Sequence, residues 1–103
     1  MRGWRIAPLL LLAAAAPAGQ QIVLHGNGNG ALPCAACHGA EGAGKPAIGA
    51  PALAGKPAGD IVAALNAMAA RQGGTGLMPA IAGALTPQQR QDVASYFSSL
   101  PAP

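Results

Sequence analysis

The chain has 103 residues, of which 3% are aromatic and 9% are charged. Its formal net charge is +3, but two of its six basic residues, Arg2 and Arg5, lie at the very start. The rest of the chain has nearly balanced charges and no basic stripe, which excludes a typical nucleic-acid-binding protein. So few large side chains also predict a thin core for a domain of this size.

The first 18 residues are predicted to be a secretory signal peptide. Arg2 and Arg5 precede an apolar run, Ile6 to Ala16, that is well short of the ~20 residues needed to cross a bilayer. Ala16-Pro17-Ala18 then has the small-x-small form of a cleavage site. An uncleaved membrane anchor is the alternative, but the run is short and rich in alanine. We therefore expect export to the periplasm and one mature domain, residues 19–103.

Residues 19–59 have only weak local patterns of secondary structure. Ile22 to Leu24 begin either a short helix or a strand, and the pattern does not decide between them. A short helix is predicted from Leu32 to Gly39, where the glycine ends it. Residues 39–59 are expected to form a long Gly/Pro-rich loop, and loops of more than about 15 residues in a compact domain tend to be functional.

A longer helix is predicted after this loop. Asp60 is a good N-cap residue, because its side chain can accept a backbone hydrogen bond. The apolar residues behind it recur at helical spacing and form one face: Ile61, Val62, Leu65, Met68 and Ala69. This helix is expected to end near Gly73-Gly74, and a second loop is predicted over residues 73–85.

The last helix has the strongest start signal in the chain. Thr86 is predicted to be its N-cap, Pro87 its first residue, and Gln89 the partner that completes a capping box. Val93, Phe97 and Leu100 lie on one face of it, with Tyr96 beside them. The predicted fold class is therefore all-α, with three to four short helices joined by long Gly/Pro loops.

The two cysteines, Cys34 and Cys37, are two residues apart, and His38 follows directly. Three interpretations leave part of this pattern unexplained. A thioredoxin-like redox pair needs a βαβ context, which the sequence lacks. A disulfide is permitted in an exported protein, but it would close a very small loop and stabilise little. A zinc site would need a further ligand, and a second Cys/His pair at zinc spacing is missing.

Covalent attachment of a c-type haem gives each of these residues a role. Cysteines at i and i+3 lie on one side of a helical turn and can form thioethers to one porphyrin, while His38 binds the iron. We therefore predict one covalent haem c. A large, flat and mostly apolar haem would also supply the core that the side chains do not, and alanine and glycine would let the backbone approach it closely.

Three residues are candidates for the second axial ligand of the iron. Met68 lies on the apolar face of the predicted 60–70 helix, where packing is its expected role. His25 lies in a flexible stretch and is expected to be a solvated histidine. Met78 is expected in a loop, held extended by Pro79, which would aim its thioether inward. Met78 is thus the predicted ligand, with loop packing as the alternative.

With CAACHG, then APALAG, then LMPAIAGALTPQQRQDVASYFSSL, the chain resembles the small bacterial class I cytochromes c. It is similar to one half of the dihaem periplasmic cytochromes c, over about residues 26–100. The resemblance implies a cytochrome c fold around one haem.

The resemblance also assigns roles to individual residues. It implies thioethers at Cys34 and Cys37, and axial iron ligands at His38 and Met78. Pro51 matches the proline whose carbonyl accepts the other N–H of the proximal histidine, and this bond would orient His38. Leu53 is implied to pack on the haem, and Tyr96 to pack on the N-terminal helix near it.

His/Met ligation fills both axial positions, so no open coordination site remains for a substrate. We therefore predict a periplasmic one-electron carrier rather than an enzyme, with a raised reduction potential. Its expected partners are redox proteins, met through small transient interfaces around an exposed haem edge. The few surface charges predict weak electrostatic steering and docking by a mostly apolar rim, with membranes reached only through partners.

Three alternatives to a free carrier remain open at this stage. The first is an electron-accepting cytochrome subunit of a dehydrogenase or flavocytochrome complex, which would have the same fold and haem. The second is a haem enzyme or gas sensor, which would require that Met78 is not bound. The third is a thiol-disulfide protein without haem.

Overall fold

The structure is a computed structural model that describes residues 18–71 and 76–103. The predicted signal peptide up to Pro17 and the predicted helix end at Gly73-Gly74 lie outside these ranges. Within them the chain forms five α-helices and one 3-10 helix, Pro46–Ile48. The α-helices are α1 (Ala18–His25), α2 (Ala35–His38), α3 (Ala58–Ala70), α4 (Leu77–Ala84) and α5 (Pro87–Ser99).

The predicted all-α fold is confirmed, but the described residues form five α-helices and not the three to four that were expected. The single β-pairing among the described residues is an isolated bridge between Lys45 and Ala50 in the loop before α3. None of the helices in the described ranges has the length and apolar character that crossing a membrane requires.

The core is built where α1 and α3 pack against α5, and α4 packs against α3. Val23 of α1 and Phe97 of α5 are fully buried at 0% exposure. Gly19 allows the close approach of these two helices, because a Cβ atom at this position would overlap the carbonyl oxygen of Asp92. Packing on α5 therefore favours a helix over residues 18–25. The sequence pattern of Ile22 to Leu24 did not decide between a helix and a strand.

The start of α5 agrees with its prediction. Thr86 Oγ1 accepts a hydrogen bond from the backbone N–H of Gln89 at 3.1 Å, and Gln89 Oε1 accepts one from the N–H of Thr86 at 2.9 Å. Pro87 is the first helical residue. The predicted capping box is therefore confirmed, because every residue it needs is local in sequence.

The predicted start of α3 is wrong by three residues. The helix begins at Ala58, with Pro57 as its N-cap residue, and no side chain caps it. The carbonyl of Pro57 accepts the N–H groups of Asp60 at 3.1 Å and Ile61 at 3.3 Å. Because the proline already starts the first turn, Asp60 lies inside that turn, where its charge still favours the helix dipole.

The predicted loop over residues 73–85 is also wrong, because residues 77–84 form α4. Met78 is therefore helical and not held extended before Pro79. Pro79 is the third residue of the helix, where its missing N–H costs no intrahelical bond. Ile81 and Ala82 are buried in the core, and their packing outweighs the local preference of the residue before proline.

Candidate functional site

A cavity of about 750 Å³ lies between α2, the loop after it, α3, α4 and α5. Most of its walls are apolar. This one cavity is lined by all six residues that the sequence assigned to haem attachment, iron ligation or haem packing: Cys34, Cys37, His38, Pro51, Leu53 and Met78. Residues 44 positions apart in the chain, Cys34 and Met78, therefore share one site.

The cysteines and the histidine are presented by one short helix. Cys34 is the N-cap residue of α2 and has helical backbone angles, and Gly39 ends the helix as predicted. The N–H of His38 bonds the carbonyl of Cys34 at 2.9 Å, which closes the turn. Cys34 and Cys37 are both half-buried, and burial raises the pKa of the Cys34 thiol above its usual range.

His38 is 6% exposed, and its ring has a defined orientation. The Nδ1 atom lies 2.9 Å from the carbonyl oxygen of Pro51, so Nδ1 carries the proton and donates it. Among the described residues the ring makes no other hydrogen bond. Nε2 is therefore the nitrogen available to a metal, and a bonded Nδ1–H increases its basicity.

The loop between α2 and α3 brings Pro51 to this position. The carbonyl of Gly42 accepts the N–H groups of Leu53 at 2.8 Å and Ala54 at 3.1 Å, and the N–H of Gly44 donates to the carbonyl of His38 at 2.9 Å. Gly44 has a φ of 81°, and a Cβ atom there would come within 3 Å of Ala50 and Pro51. Glycine at position 44 thus lets the Pro51 segment lie directly against the end of α2.

Two methionines line the cavity. Met78 lies in the first turn of α4, and Met68 lies near the end of α3; both are half-buried. Both side chains also pack against the core cluster, and for Met68 this is expected from its place beside Leu65 and Ala69. His25, by contrast, is exposed at the end of α1 and does not line the cavity.

The structure adds cavity residues that the sequence did not single out. Phe97 of α5 forms part of the wall, whereas Tyr96 lies beside Gly19 of α1 and is not part of it. Charged residues from α3 and its flanks also line the cavity: Lys56, Asp60 and Arg71. No motif marked these residues as part of the haem site, because only the helix packing brings them to one space.

The cavity fits the predicted haem. Its volume falls in the range of sites for sizeable organic ligands, and its walls are mostly apolar, with a few polar groups at defined places. Those groups are two thiols on one turn, one oriented imidazole and two thioethers. The two thiols are the groups that attach a c-type haem covalently. The imidazole nitrogen and a thioether sulfur are ligands that haem iron binds.

Comparisons with known proteins agree with this site. A relative named as the thiosulfate dehydrogenase electron acceptor of Stutzerimonas stutzeri (strain A1501) is 38% identical over 98 residues. The match covers 94% of this chain and 45% of the relative, so the chain spans about half the length of that protein.

This chain likewise corresponds to only part of each of two solved structures that it matches. Cytochrome c4 of Acidithiobacillus ferrooxidans matches with a TM-score of 0.72 and 36% identity, over 80% of this chain and 48% of that chain. The thiosulfate dehydrogenase (TsdBA) of Marichromatium purpuratum matches with a TM-score of 0.75 and 30% identity, over 82% of this chain and 18% of that chain. The expected similarity to one half of a larger cytochrome is therefore confirmed.

The family model for cytochrome c matches residues 18–101, which include the whole described site. Because the match extends over most of the chain, the chain belongs to the cytochrome c family, as an electron-transfer domain that carries one covalently bound haem c.

Proposed function

We propose that this protein is a periplasmic one-electron carrier whose haem is attached at Cys34 and Cys37 and ligated by His38 and Met78. The observation that carries the proposal is that these four residues line one apolar cavity, in which Pro51 orients His38. When bound, haem iron takes up and releases single electrons, and His/Met ligation raises its reduction potential.

Cys34 and Cys37 would hold the porphyrin by thioether bonds. Their i, i+3 spacing on the turn of α2 supports a shared role, because both side chains project to the cavity side of that turn. His38 would bind the iron through Nε2. The bond from Nδ1 to Pro51 would keep the ring from rotating, so that little rearrangement accompanies a change in oxidation state.

Met78 is the better candidate for the second axial position than Met68. Met68 belongs to the face of α3 that also buries Ile61, Leu65 and Ala69, so packing already accounts for it. Met78 also packs against the core cluster, but it lies in the first turn of α4 directly before Pro79, ahead of the buried pair Ile81 and Ala82. It is also the position that matches the Met-Pro motif of the class I cytochromes c.

The expected electron-transfer surface is the rim of the cavity. Three large apolar residues that line it are also strongly exposed: Leu32 at 51%, Ile48 at 60% and Leu77 at 54%. An apolar rim with few charges suits small, transient contacts with donor and acceptor proteins and gives little long-range steering. Leu53 and Pro51 would pack on the haem from the opposite loop.

A second candidate function is that of a cytochrome subunit or domain that accepts electrons from a dehydrogenase. The matched relative is named as an electron acceptor of thiosulfate dehydrogenase, and part of a solved thiosulfate dehydrogenase matches this fold. Recovery in a fixed ratio with a dehydrogenase would favour the subunit role. A monomer that exchanges electrons with several proteins would favour the free carrier.

The proposal includes export. Residues 1–18 would be removed as a signal peptide, leaving residues 19–103 as one monohaem domain in the periplasm, where haem c is attached. Mass spectrometry of the protein from a periplasm with haem-attachment machinery tests this directly. The expected mass is that of residues 19–103 plus one haem, and a full-length mass without haem would contradict both parts.

The test of the ligation is the visible spectrum of the same protein. Sharp low-spin bands on reduction, together with the weak far-red band of methionine bound to ferric iron, are the expected result. A high-spin spectrum with rapid carbon monoxide binding would instead leave the second axial position open and favour a haem enzyme or gas sensor.

A further inference from the structure

Side chains from two other elements converge on the C-terminal end of α4. Arg90 Nη1 of α5 donates hydrogen bonds to the carbonyl oxygens of Ala82 at 2.9 Å and Leu85 at 2.6 Å. Asn27 Nδ2, in the turn after α1, donates to the carbonyl oxygen of Ala84 at 2.8 Å. The carbonyl of Ala82 also accepts the N–H of Leu85 at 3.3 Å. The carbonyls of Ala84 and Leu85 lie beyond the last such bond, so the side chains satisfy groups that would otherwise need water.

The two donors are themselves held in place. Arg90 Nε donates to Asn66 Oδ1 of α3 at 2.8 Å, so one guanidinium group connects α3, α4 and α5. Asn27 Nδ2 also contacts Gln89 Oε1 at 3.1 Å. The charge of Arg90 adds to this arrangement, because a cation at the C-terminus of a helix is favoured by the helix dipole.

Apolar burial of Ile81, Ala82 and Leu85 holds this end of α4 in the core, and the polar contacts add the connection to α5 and to the turn after α1. Helix α4 packs closely on α3 but makes little direct contact with α5. It has only eight residues, and Met78 lies one turn before Ala82. Because a helix this short moves as a rigid body, a displacement of its C-terminal end would also displace Met78.

We propose that Arg90 and Asn27 are positioning residues for the iron ligand Met78. By fixing the C-terminal end of α4 against α5 and the turn after α1, they keep the thioether in the cavity and disfavour its replacement by other ligands. This inference rests on the proposed ligation by Met78. It assigns a role to two polar residues that neither line the cavity nor belong to the haem-binding motif.

The experiment is a titration of the ferric haem protein with imidazole, which competes with methionine for the iron. The loss of the far-red band measures how much methionine has been replaced. Arg90→Met removes the charge and all donors, while Arg90→Lys keeps the charge but cannot span three helices. Asn27→Asp keeps the oxygen that accepts the N–H groups of Asn29 and Ala31 but removes the donor to Ala84. Gln88→Ala is the control, since Gln88 bonds only Asp92 on the outer side of α5.

We expect half-conversion at about tenfold lower imidazole for Arg90→Met, and a smaller decrease for Arg90→Lys and Asn27→Asp. Gln88→Ala should match the unmodified protein. Circular dichroism in the same samples establishes that each variant is folded, and urea midpoints measure overall stability. A lower urea midpoint with unchanged imidazole affinity in all three variants would mean a purely structural role and would overturn the inference.

The unmodified protein separates this inference from the proposal on which it depends. If it lacks the far-red band, the ligation by Met78 is wrong, and the positioning role is overturned with it. If it has the band and the variants bind imidazole as it does, only the positioning role is wrong.

Discussion

The Nδ1 atom of His38 donates a hydrogen bond of 2.9 Å to the carbonyl oxygen of Pro51, thirteen residues further along the chain. No side chain of residue 51 takes part, so substitution at Pro51 does not remove the acceptor. What the bond depends on is the course of the loop, and Gly44 is the residue that allows the Pro51 segment to lie against the end of α2.

Gly44→Ala should therefore displace the Pro51 carbonyl and weaken its bond to His38. We expect the free energy of unfolding to fall by about 1–3 kcal/mol. Alanine is strained at the positive φ of this position, and its Cβ would also lie too close to the backbone of Ala50 and Pro51. A weaker bond makes the histidine less basic, so the reduction potential should rise. Urea denaturation and protein-film voltammetry measure the two effects.

Gly28→Ala is the matched control for this change. Gly28 has a similar φ of 75° and does not line the cavity, and a Cβ there would meet nothing within 4 Å. It should lose about 1 kcal/mol of stability and keep its potential. A potential that rises equally in both variants would show that backbone strain, and not the His38–Pro51 bond, causes the change.

The two cavity methionines give a direct test of the axial ligand. Met78→Ala should abolish the far-red band of the ferric protein and allow the reduced protein to bind carbon monoxide. Met68→Ala should retain the band but lower the free energy of unfolding by about 1–3 kcal/mol, because it removes a half-buried side chain that packs on the core. If the band disappears in Met68→Ala and persists in Met78→Ala, the assignment is reversed.

Gly19→Ala should destabilise the contact between α1 and α5. Alanine is the better helix former, but its Cβ would overlap the carbonyl of Asp92 and crowd Tyr96. We expect a net loss of about 1–3 kcal/mol from this overpacking, measured by urea denaturation of the haem protein.

The control for Gly19 is Gly59, which lies in the first turn of α3 with open space around it. Gly59→Ala should raise the free energy of unfolding by about 0.5–1 kcal/mol through helix propensity alone. Equal gains in both variants would contradict the close approach of α1 and α5.

The charged residues that line the cavity should shift the potential in opposite directions. Lys56→Gln and Arg71→Gln remove positive charge near the haem and should lower the potential, while Asp60→Asn should raise it. Each shift should correspond to less than about 1 kcal/mol, since these side chains are exposed, and should shrink as salt is added.

Lys45→Gln is the control for this series, because Lys45 is exposed and does not line the cavity. Voltammetry at low and high ionic strength provides the measurement. A shift in Lys45→Gln as large as that in Lys56→Gln would mean that net charge, rather than position at the cavity, sets the effect.

The fold was predictable where the signal is local. The capping box of α5 and the apolar face of α3 each lie within a few residues, and both are present. The presence of α4 was not predictable from LMPAIAGA, since proline and glycine weaken its local preference. Burial of Ile81 and Ala82 against α3 stabilises that helix, and burial of this kind arises only when distant segments meet.

By itself, the sequence determined the chemistry: two thiols and an imidazole on one turn, a Met-Pro motif, and a chain with too few large side chains to fill its own core. These features are local or compositional, so they are readable without coordinates. The tertiary structure alone decided which charges and aromatic side chains surround the cavity, and which course of the loop brings the Pro51 carbonyl to His38. It also decided that Arg90 and Asn27 meet at the end of α4, because contacts between residues far apart in the chain depend on how the helices pack.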